Sequence, residues 1–201
     1  MRTTLLIALA ITLASTSAFA KDSEDSAKDN AKKQEMMKVW QEYSTPGAPH
    51  KIFEKMAGKW KYTSKWWETS DAKPQESTGT STTKLIFGGR FLEQNVKGKA
   101  MGMPFEGMGI SGYDNTKKKY ESFWLDNMGT GVMHSEGTFD PETQTLKDTS
   151  KGFCPTNDDK ICDFRSEWKI VDKDHMIYTM WGPDLDGKEF KQMELAYKRT
   201  K

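Results

Sequence analysis

The chain has little of what marks most metal-binding, nucleic-acid-binding or membrane-spanning proteins. Its 201 residues include two cysteines and three histidines, and 30 basic residues nearly balance 29 acidic ones. Because nucleic-acid affinity rests on clustered excess positive charge, this balance argues against a nucleic-acid partner. No apolar run approaches the roughly 20 residues that a membrane-spanning helix needs, so no membrane span is expected.

The most apolar segment lies at the N-terminus. Arg2 precedes an apolar run from Leu5 to Leu13, and Ala18-Phe19-Ala20 has small residues at the two positions that a signal peptidase inspects. This pattern is typical of a secretory signal peptide, with cleavage after Ala20. Removing residues 1–20 takes away one base and no acid, which leaves 29 of each. The sequence therefore predicts a soluble periplasmic or secreted protein.

The two cysteines, Cys154 and Cys162, are predicted to form a disulfide, since an exported protein folds in an oxidising compartment. The segment between them is rich in turn-forming residues, so the bond would join the two ends of a loop between adjacent strands. A redox or metal pair is the alternative. Seven intervening residues match neither a Cys-x-x-Cys redox motif nor a zinc knuckle.

The region before the first strand divides into three parts. Residues 21–34 are charged and small and predict a mobile leader. Met36, Met37, Trp40 and Tyr43 then recur at helical spacing, and a second short helix is expected from His50 to Met56. The predicted domains are thus a signal peptide at 1–20, a charged leader and amphipathic helix at 21–48, and one β domain at 49–201.

From Gly58 onwards, apolar and polar residues alternate with the period of a β-strand. Short linkers exclude parallel crossovers, and a closed antiparallel barrel removes both sheet edges. We therefore predict a mostly β, antiparallel up-and-down barrel of about ten strands with short N-terminal helices, and a two-sheet sandwich is the alternative. The ten predicted strands are 58–68, 77–87, 90–100, 105–113, 119–127, 131–139, 144–153, 162–171, 175–182 and 189–199.

The first strand carries the clearest signal of barrel type. Trp60, Tyr62 and Trp66 share one face, and Gly58 lies two residues before the first tryptophan. This Gly-x-Trp entry resembles the first strand of lipocalin-like barrels, in which a C-terminal arginine lies across the tryptophan. Arg199 is the candidate for that arginine.

Four further motifs carry a more specific resemblance. They are Gly88-Gly89-Arg90-Phe91-Leu92, the segment from Met101 to Gly107, Gly112-Tyr113-Asp114-Asn115, and Trp124-Leu125-Asp126 with Met128-Gly129-Thr130. Together and in this order they resemble the bacterial domain-of-unknown-function family number 1579, from about Pro49 to Arg199. The resemblance implies an up-and-down barrel of the lipocalin-like, or calycin-like, type. It implies no established substrate, cofactor or catalytic residue.

A barrel of this size has an interior wide enough for one small ligand. We predict that Tyr62, Trp66, Trp124 and Trp168 line it and bind a small apolar or amphipathic molecule, because aromatic walls supply apolar contact. The alternative is that these side chains simply fill the core. The leading hypothesis is therefore a non-enzymatic binding protein.

Asp126 is the most unusual polar residue, because it shares a face with Trp124 and is costly to bury without a partner. Arg90, Arg165 and His134 are candidate partners across the barrel, and we predict that these four polar residues contribute to the ligand-binding site. Alternatively, Asp126 is solvated or holds the turn that follows it. If Asp126, His134 and Arg165 converge on the cavity, an isomerase or hydrolase becomes the competing hypothesis.

No cofactor is predicted, but two metal hypotheses remain open. Haem ligation by His134 or His175 has no attachment motif to support it. Thioether ligation of Cu(I) is the second hypothesis, although methionine also fills irregular core gaps. The methionines concerned are Met101, Met103, Met108, Met128 and Met133.

Overall fold

The computed structural model describes residues 15–154, 158 and 160–200, which divide into two units between Ser44 and Thr45. The first unit contains one helix, α1 (Ser15–Ser44). Residues 21–34 lie within this helix, which their composition did not predict, and the mobility of this leader stays a prediction. Residues 1–14 lie outside the described residues, so the signal peptide and its cleavage after Ala20 stay predictions.

Within the described part of the chain, α1 and the shorter helices are all too short or too polar to cross a membrane. The second unit starts with a 3₁₀ turn, Ala48–His50, followed by α2 (Lys51–Met56). Ten strands follow, and each end agrees with its predicted position to within two residues. They are β1 (Gly58–Trp66), β2 (Gln75–Ile86), β3 (Phe91–Ala100), β4 (Met103–Asp114), β5 (Lys119–Asp126), β6 (Met133–Asp140), β7 (Thr145–Phe153), β8 (Ile161–Ile170), β9 (His175–Pro183) and β10 (Glu189–Arg199).

Every strand pairs antiparallel with its neighbours along the chain, and β1 also pairs with β10. This closes an up-and-down barrel, which confirms the predicted fold class and excludes the two-sheet sandwich. Closure gives every strand a partner on both sides, so the sheet has no free edge.

One end of the barrel is closed by packing around Trp60, whose side chain is only 1% exposed. The Arg199 guanidinium lies 4.0 Å from the centre of its ring, as the lipocalin resemblance implied. Arg199 also donates to the carbonyls of Ala57 and Lys55 at 2.5 and 2.7 Å. Gly58 makes room for it, because a Cβ there would lie 2.1 Å from Arg199 Nη1. The φ of Gly58, +142°, also favours glycine.

Helix α2 covers the same end of the barrel. Phe53 and Met56 are buried, and the backbone carbonyl of Met56 accepts a 3.0 Å hydrogen bond from the Trp60 indole. His50 is buried beside them and accepts a 3.0 Å hydrogen bond on Nδ1 from the Gly47 amide. Burial lowers the pKa of His50. We call the end formed by His50, α2, Trp60 and Arg199 the floor.

The predicted disulfide is present, and Cys154 is bonded to Cys162. It joins the end of β7 to the start of β8. A disulfide leaves no thiolate to bind a metal, so the metal-pair alternative does not describe these cysteines. Residues 155–157 and 159, within the loop, lie outside the described residues.

Candidate functional site

Above the floor, the strands enclose a cavity of about 380 Å³. This volume lies within the range of sites that bind small molecules. Phe53 and Met56 of the floor form its base. Trp66 and Asp126, both at strand ends, line it at the other end, which we call the mouth.

One side of the cavity is aromatic. Trp168 lies 4.7 Å from Tyr178 and 5.4 Å from Tyr197 between ring centres, and Tyr197 lies 5.5 Å from Tyr62. These four residues come from β8, β9, β10 and β1, and we call them the aromatic wall. Burial raises the pKa of Tyr62, Tyr178 and Tyr197, so their hydroxyls stay protonated at neutral pH.

Two glycines make room for the aromatic wall. A Cβ on Gly79 or on Gly98 would lie 2.3 Å from the Tyr62 hydroxyl oxygen. Both glycines therefore provide space that any larger residue would take from the Tyr62 ring. Their presence in β2 and β3 is explained by this close approach.

The opposite side of the cavity is polar. Ser111, Ser122, Ser135 and Ser150 occupy successive cross-strand pairs on β4, β5, β6 and β7, so they form one row around the barrel. All four line the cavity, and the hydroxyls of Ser122 and Ser135 lie 2.6 Å apart. We call this row, together with Asp148 and Ser166 beside it, the polar wall.

Asp148 is the carboxylate of the polar wall. It lies on β7 opposite Gly137 of β6 and Ser166 of β8. Ser166 donates a hydrogen bond to Asp148 Oδ1 and is also hydrogen-bonded to the Tyr178 hydroxyl. Burial raises the pKa of Asp148 to about 6, against the opposite effect of the Ser166 hydrogen bond. The polar wall thus holds a carboxylate next to the aromatic wall.

Gly137 allows Asp148 to sit there, because a Cβ on Gly137 would lie 2.7 Å from the Asp148 Cβ. Our sequence reasoning missed Asp148. The signal was present, since Leu146, Asp148 and Ser150 alternate on one face of β7 and Leu146 is buried.

Five of the predicted site residues line one cavity, and their role in ligand binding stays a prediction: Tyr62, Trp66, Trp124, Asp126 and Trp168. Asp126 Oδ2 accepts a 2.8 Å hydrogen bond from the Trp124 indole, and Oδ1 accepts one of 2.9 Å from the Met128 amide. Both oxygens of Asp126 are therefore used, and the residue holds the turn after β5 as the simpler interpretation proposed.

The three suggested partners of Asp126 do not line the cavity. Arg90 donates to the Phe87 carbonyl within the turn between β2 and β3. His134 stacks on the exposed Phe123 at 4.7 Å, and Arg165 lies 3.8 Å from the centre of the Trp181 ring. The predicted convergence of Asp126, His134 and Arg165 is therefore wrong.

The reason is the alternation of the strands. Ser166 and Trp168 face inward, so Arg165, which directly precedes Ser166, faces outward. Met133 likewise lines the cavity, which directs His134 to the outside. Of the described residues in the lining, Lys99 is the only basic one, and it is exposed.

A family model described as "Protein of unknown function (DUF1579)" matches residues 45–199. The chain belongs to the DUF1579 family. The crystal structure of Rv2717c from M. tuberculosis is similar at 14% sequence identity with a TM-score of 0.58, covering 78% of this chain and all of that one. At this identity the likeness concerns the fold alone. No curated protein matches the chain.

In this DUF1579 barrel the two metal hypotheses find little support in the placement of their ligands. None of the three histidines lines the cavity, and His175 is exposed with Nδ1 3.0 Å from Asp172. Met133 lines the cavity, whereas Met108 lies on the opposite face of β4 from the inward Gly109. The methionines that the copper hypothesis requires therefore do not converge.

One cluster on the outer face of the DUF1579 barrel has metal-ligand geometry. Ligand atoms of Glu121, His134 and Glu136 lie within 4.8 Å of one another. Lys119 lies 3.1 Å from Glu136, and Lys117 pairs with Glu121. The two lysines already neutralise the two carboxylates, so we interpret the cluster as a surface ion-pair network.

Proposed function

We propose that the protein binds one small, mainly apolar or amphipathic molecule inside the barrel, without catalysing a reaction on it. The observation that carries the proposal is the cavity of about 380 Å³, lined by an aromatic wall on one side and a polar wall on the other. Apolar contact supplies affinity in such a site, and a few placed polar groups set the orientation.

Packing at the mouth supports the same proposal. Trp124 stacks on Phe105 with ring centres 6.4 Å apart, and its indole nitrogen is used by Asp126. A Cβ on Gly107 would lie 2.4 Å from the Trp124 ring, so glycine lets the ring lie flat against β4. Trp124 therefore presents a fixed apolar surface to an entering molecule, at low entropic cost.

The direct test starts from protein purified from its own host. One sample is extracted with organic solvent to recover a bound molecule, and the mass of a second, intact sample is measured by native mass spectrometry. We expect a bound small molecule that is lost on unfolding. A second test uses the neutral fluorescent probe N-phenyl-1-naphthylamine. Trp124→Ala should weaken probe binding by about tenfold, because a large apolar contact is removed from the site.

Trp181→Ala is the matched control, since this tryptophan lies outside the cavity lining, under Arg165. It should leave probe affinity unchanged. Recovery of no ligand, together with equal probe binding by wild type and Trp124→Ala, would contradict the proposal.

We also propose that the protein works in the periplasm or outside the cell. The support is the signal-peptide pattern of residues 1–20 and the Cys154–Cys162 disulfide, which persists in an oxidising compartment. Intact-mass analysis of the protein from its own host should find a chain that begins at Lys21. A chain that retains residues 1–20 would contradict this assignment.

A further inference from the structure

Asp148 has an oxygen that the fold leaves available to a ligand. Ser166 is the hydrogen-bond donor to Oδ1, and Oδ2 has no hydrogen-bond partner among the described residues. Every fully buried side-chain oxygen in that part of the chain has a partner, so Oδ2 is not fully buried. Asp148 lines the cavity, and Oδ2 therefore opens into it.

Among the residues that the structure describes, no cation of the cavity lining is placed to neutralise this carboxylate. Arg90, His134 and Arg165 all lie outside the lining, and Lys99 is exposed on the outward-facing alternation of β3. A buried charge without a partner is costly, and the cost is relieved when a ligand brings the opposite charge. The aromatic wall adds to this, because a cation is attracted to the face of an aromatic ring.

Resting on the proposed function, we propose that Asp148 binds a protonated amine of the ligand, so that the ligand class is an amphipathic amine. The ammonium group donates to Asp148 Oδ2 and to the serine row of the polar wall. The apolar body of the ligand then lies against Trp168 and Tyr178. A charge-assisted hydrogen bond of this kind is about twice as strong as a neutral one.

The residues that face Asp148 on the neighbouring strands do not change their own charge near neutral pH. On β6 its opposite residue is Gly137, and on β8 it is Ser166, neither of which is ionisable. Tyr178 from β9 faces it and has a raised pKa because of burial. Three other tyrosines of the lining, Tyr62, Tyr120 and Tyr197, also have raised pKa values. Asp126 also lines the cavity, but at its mouth. Glu121 and Lys99 belong to the lining as well, but their side chains point outward because they alternate with inward-facing residues.

The test compares three probes with one apolar body and different head groups: 4-phenylbutylamine, 4-phenylbutan-1-ol and 4-phenylbutyrate. Isothermal titration calorimetry at pH 7.5 should show the amine binding about tenfold more tightly than the alcohol, and the carboxylate binding most weakly. Lowering the pH through about 6 should weaken the amine and leave the alcohol unchanged, because Asp148 becomes protonated.

Asp148→Asn should abolish the preference for the amine and leave alcohol affinity within about threefold of wild type. Asp163→Asn is the matched control, since Asp163 lies outside the cavity lining and pairs with Lys151 at 3.0 Å. It should retain the preference. Ser166→Ala removes the donor to Asp148 but keeps the charge, and it should retain the preference as well.

The outcomes separate this inference from the proposed function. Equal affinity for amine and alcohol, or tightest binding of the carboxylate, would overturn the amine assignment while leaving an apolar-ligand site in place. An amine preference that survives in Asp148→Asn would also overturn it. Failure of all three probes and of N-phenyl-1-naphthylamine to bind would contradict the proposed function itself.

Discussion

The floor and the cavity above it use aromatic side chains in opposite ways. At the floor, Trp60 is covered on one face by Arg199 and bonded at its indole nitrogen by Met56, and it is 1% exposed. In the cavity, Trp124 and Trp168 pack against the core but leave part of their surface exposed to the cavity. The floor thus holds the barrel together, and the cavity keeps surface available.

The two regions also treat charge differently. The floor surrounds its cation, Arg199, with backbone carbonyls from Ala57, Lys55 and Lys173. The cavity holds Asp148 with one serine donor and leaves the other oxygen unused. A fully bonded charge is a structural element, whereas a partly bonded one is available for a ligand.

The largest expected effect is the loss of Trp60. Trp60→Ala should lower the free energy of unfolding by about 3–5 kcal/mol, because it empties a fully packed site. Trp124→Ala should cost less than about 2 kcal/mol, since its ring already borders empty space. Urea unfolding of both variants measures the difference. Equal losses would show that the cavity packs as tightly as the floor.

The next effect is a gain in stability on removing the charge of Asp148. Its pKa is raised to about 6 from 3.8, so the folded state holds a proton more tightly and stability falls as the pH rises from about 4 through 6. Asp148→Asn should therefore raise the free energy of unfolding at pH 7.5 by roughly 2 kcal/mol, with little difference below pH 4. Chemical unfolding at both pH values tests this. A loss of stability at pH 7.5 would contradict it.

The smallest effect has the opposite sign and belongs to the floor. Burial lowers the pKa of His50 from 6.5, so the unfolded state binds the proton more readily and stability falls as the pH drops below 6.5. In the wild type this loss is opposed by Asp148, whose protonation raises stability as the pH falls. In the Asp148→Asn variant that opposing effect is absent, so the thermal midpoint should decline steadily below pH 6.5. The His50 ring protons, followed by NMR, should titrate below 6.5. A His50 pKa above 6.5 would contradict the burial of this ring from water in the floor.

Most of the fold was predictable because strand alternation is a local property of the sequence. The ten strands, the Trp60 and Arg199 pair and the inward positions of Trp66 and Trp124 all follow from it. The helix over residues 21–34 was missed because polar helix formers have the same composition as a disordered leader.

The site was less predictable, because its chemistry depends on which face of each strand turns inward. His134 and Met133 are neighbours, and only the pairing of Met133 with Trp124 decides that the histidine lies outside. For Arg165 the pattern was sufficient, since Ser166 and Trp168 already occupied the inner face. The alternation of β7 places Asp148 on the same face as Leu146, but the space that Gly137 leaves for it on the next strand is known only from the strand pairing.

The pairing of β1 with β10 has a consequence for how the barrel forms. Nine strand pairs join neighbours along the chain, whereas this one aligns Trp60 with Arg199 from the two ends of the domain. Its loop-closure entropy is the largest of the ten pairs. We therefore expect this pair of strands, which we call the seam, to form last during folding and to open first. The hydrogen bond from the Thr200 amide to the Lys59 carbonyl, 2.8 Å long, lies at this seam. Native-state hydrogen exchange that is faster along β1 and β10 than along β4 and β5 would reveal it, and the Trp60–Arg199 stack would then act as the latch of the closed barrel.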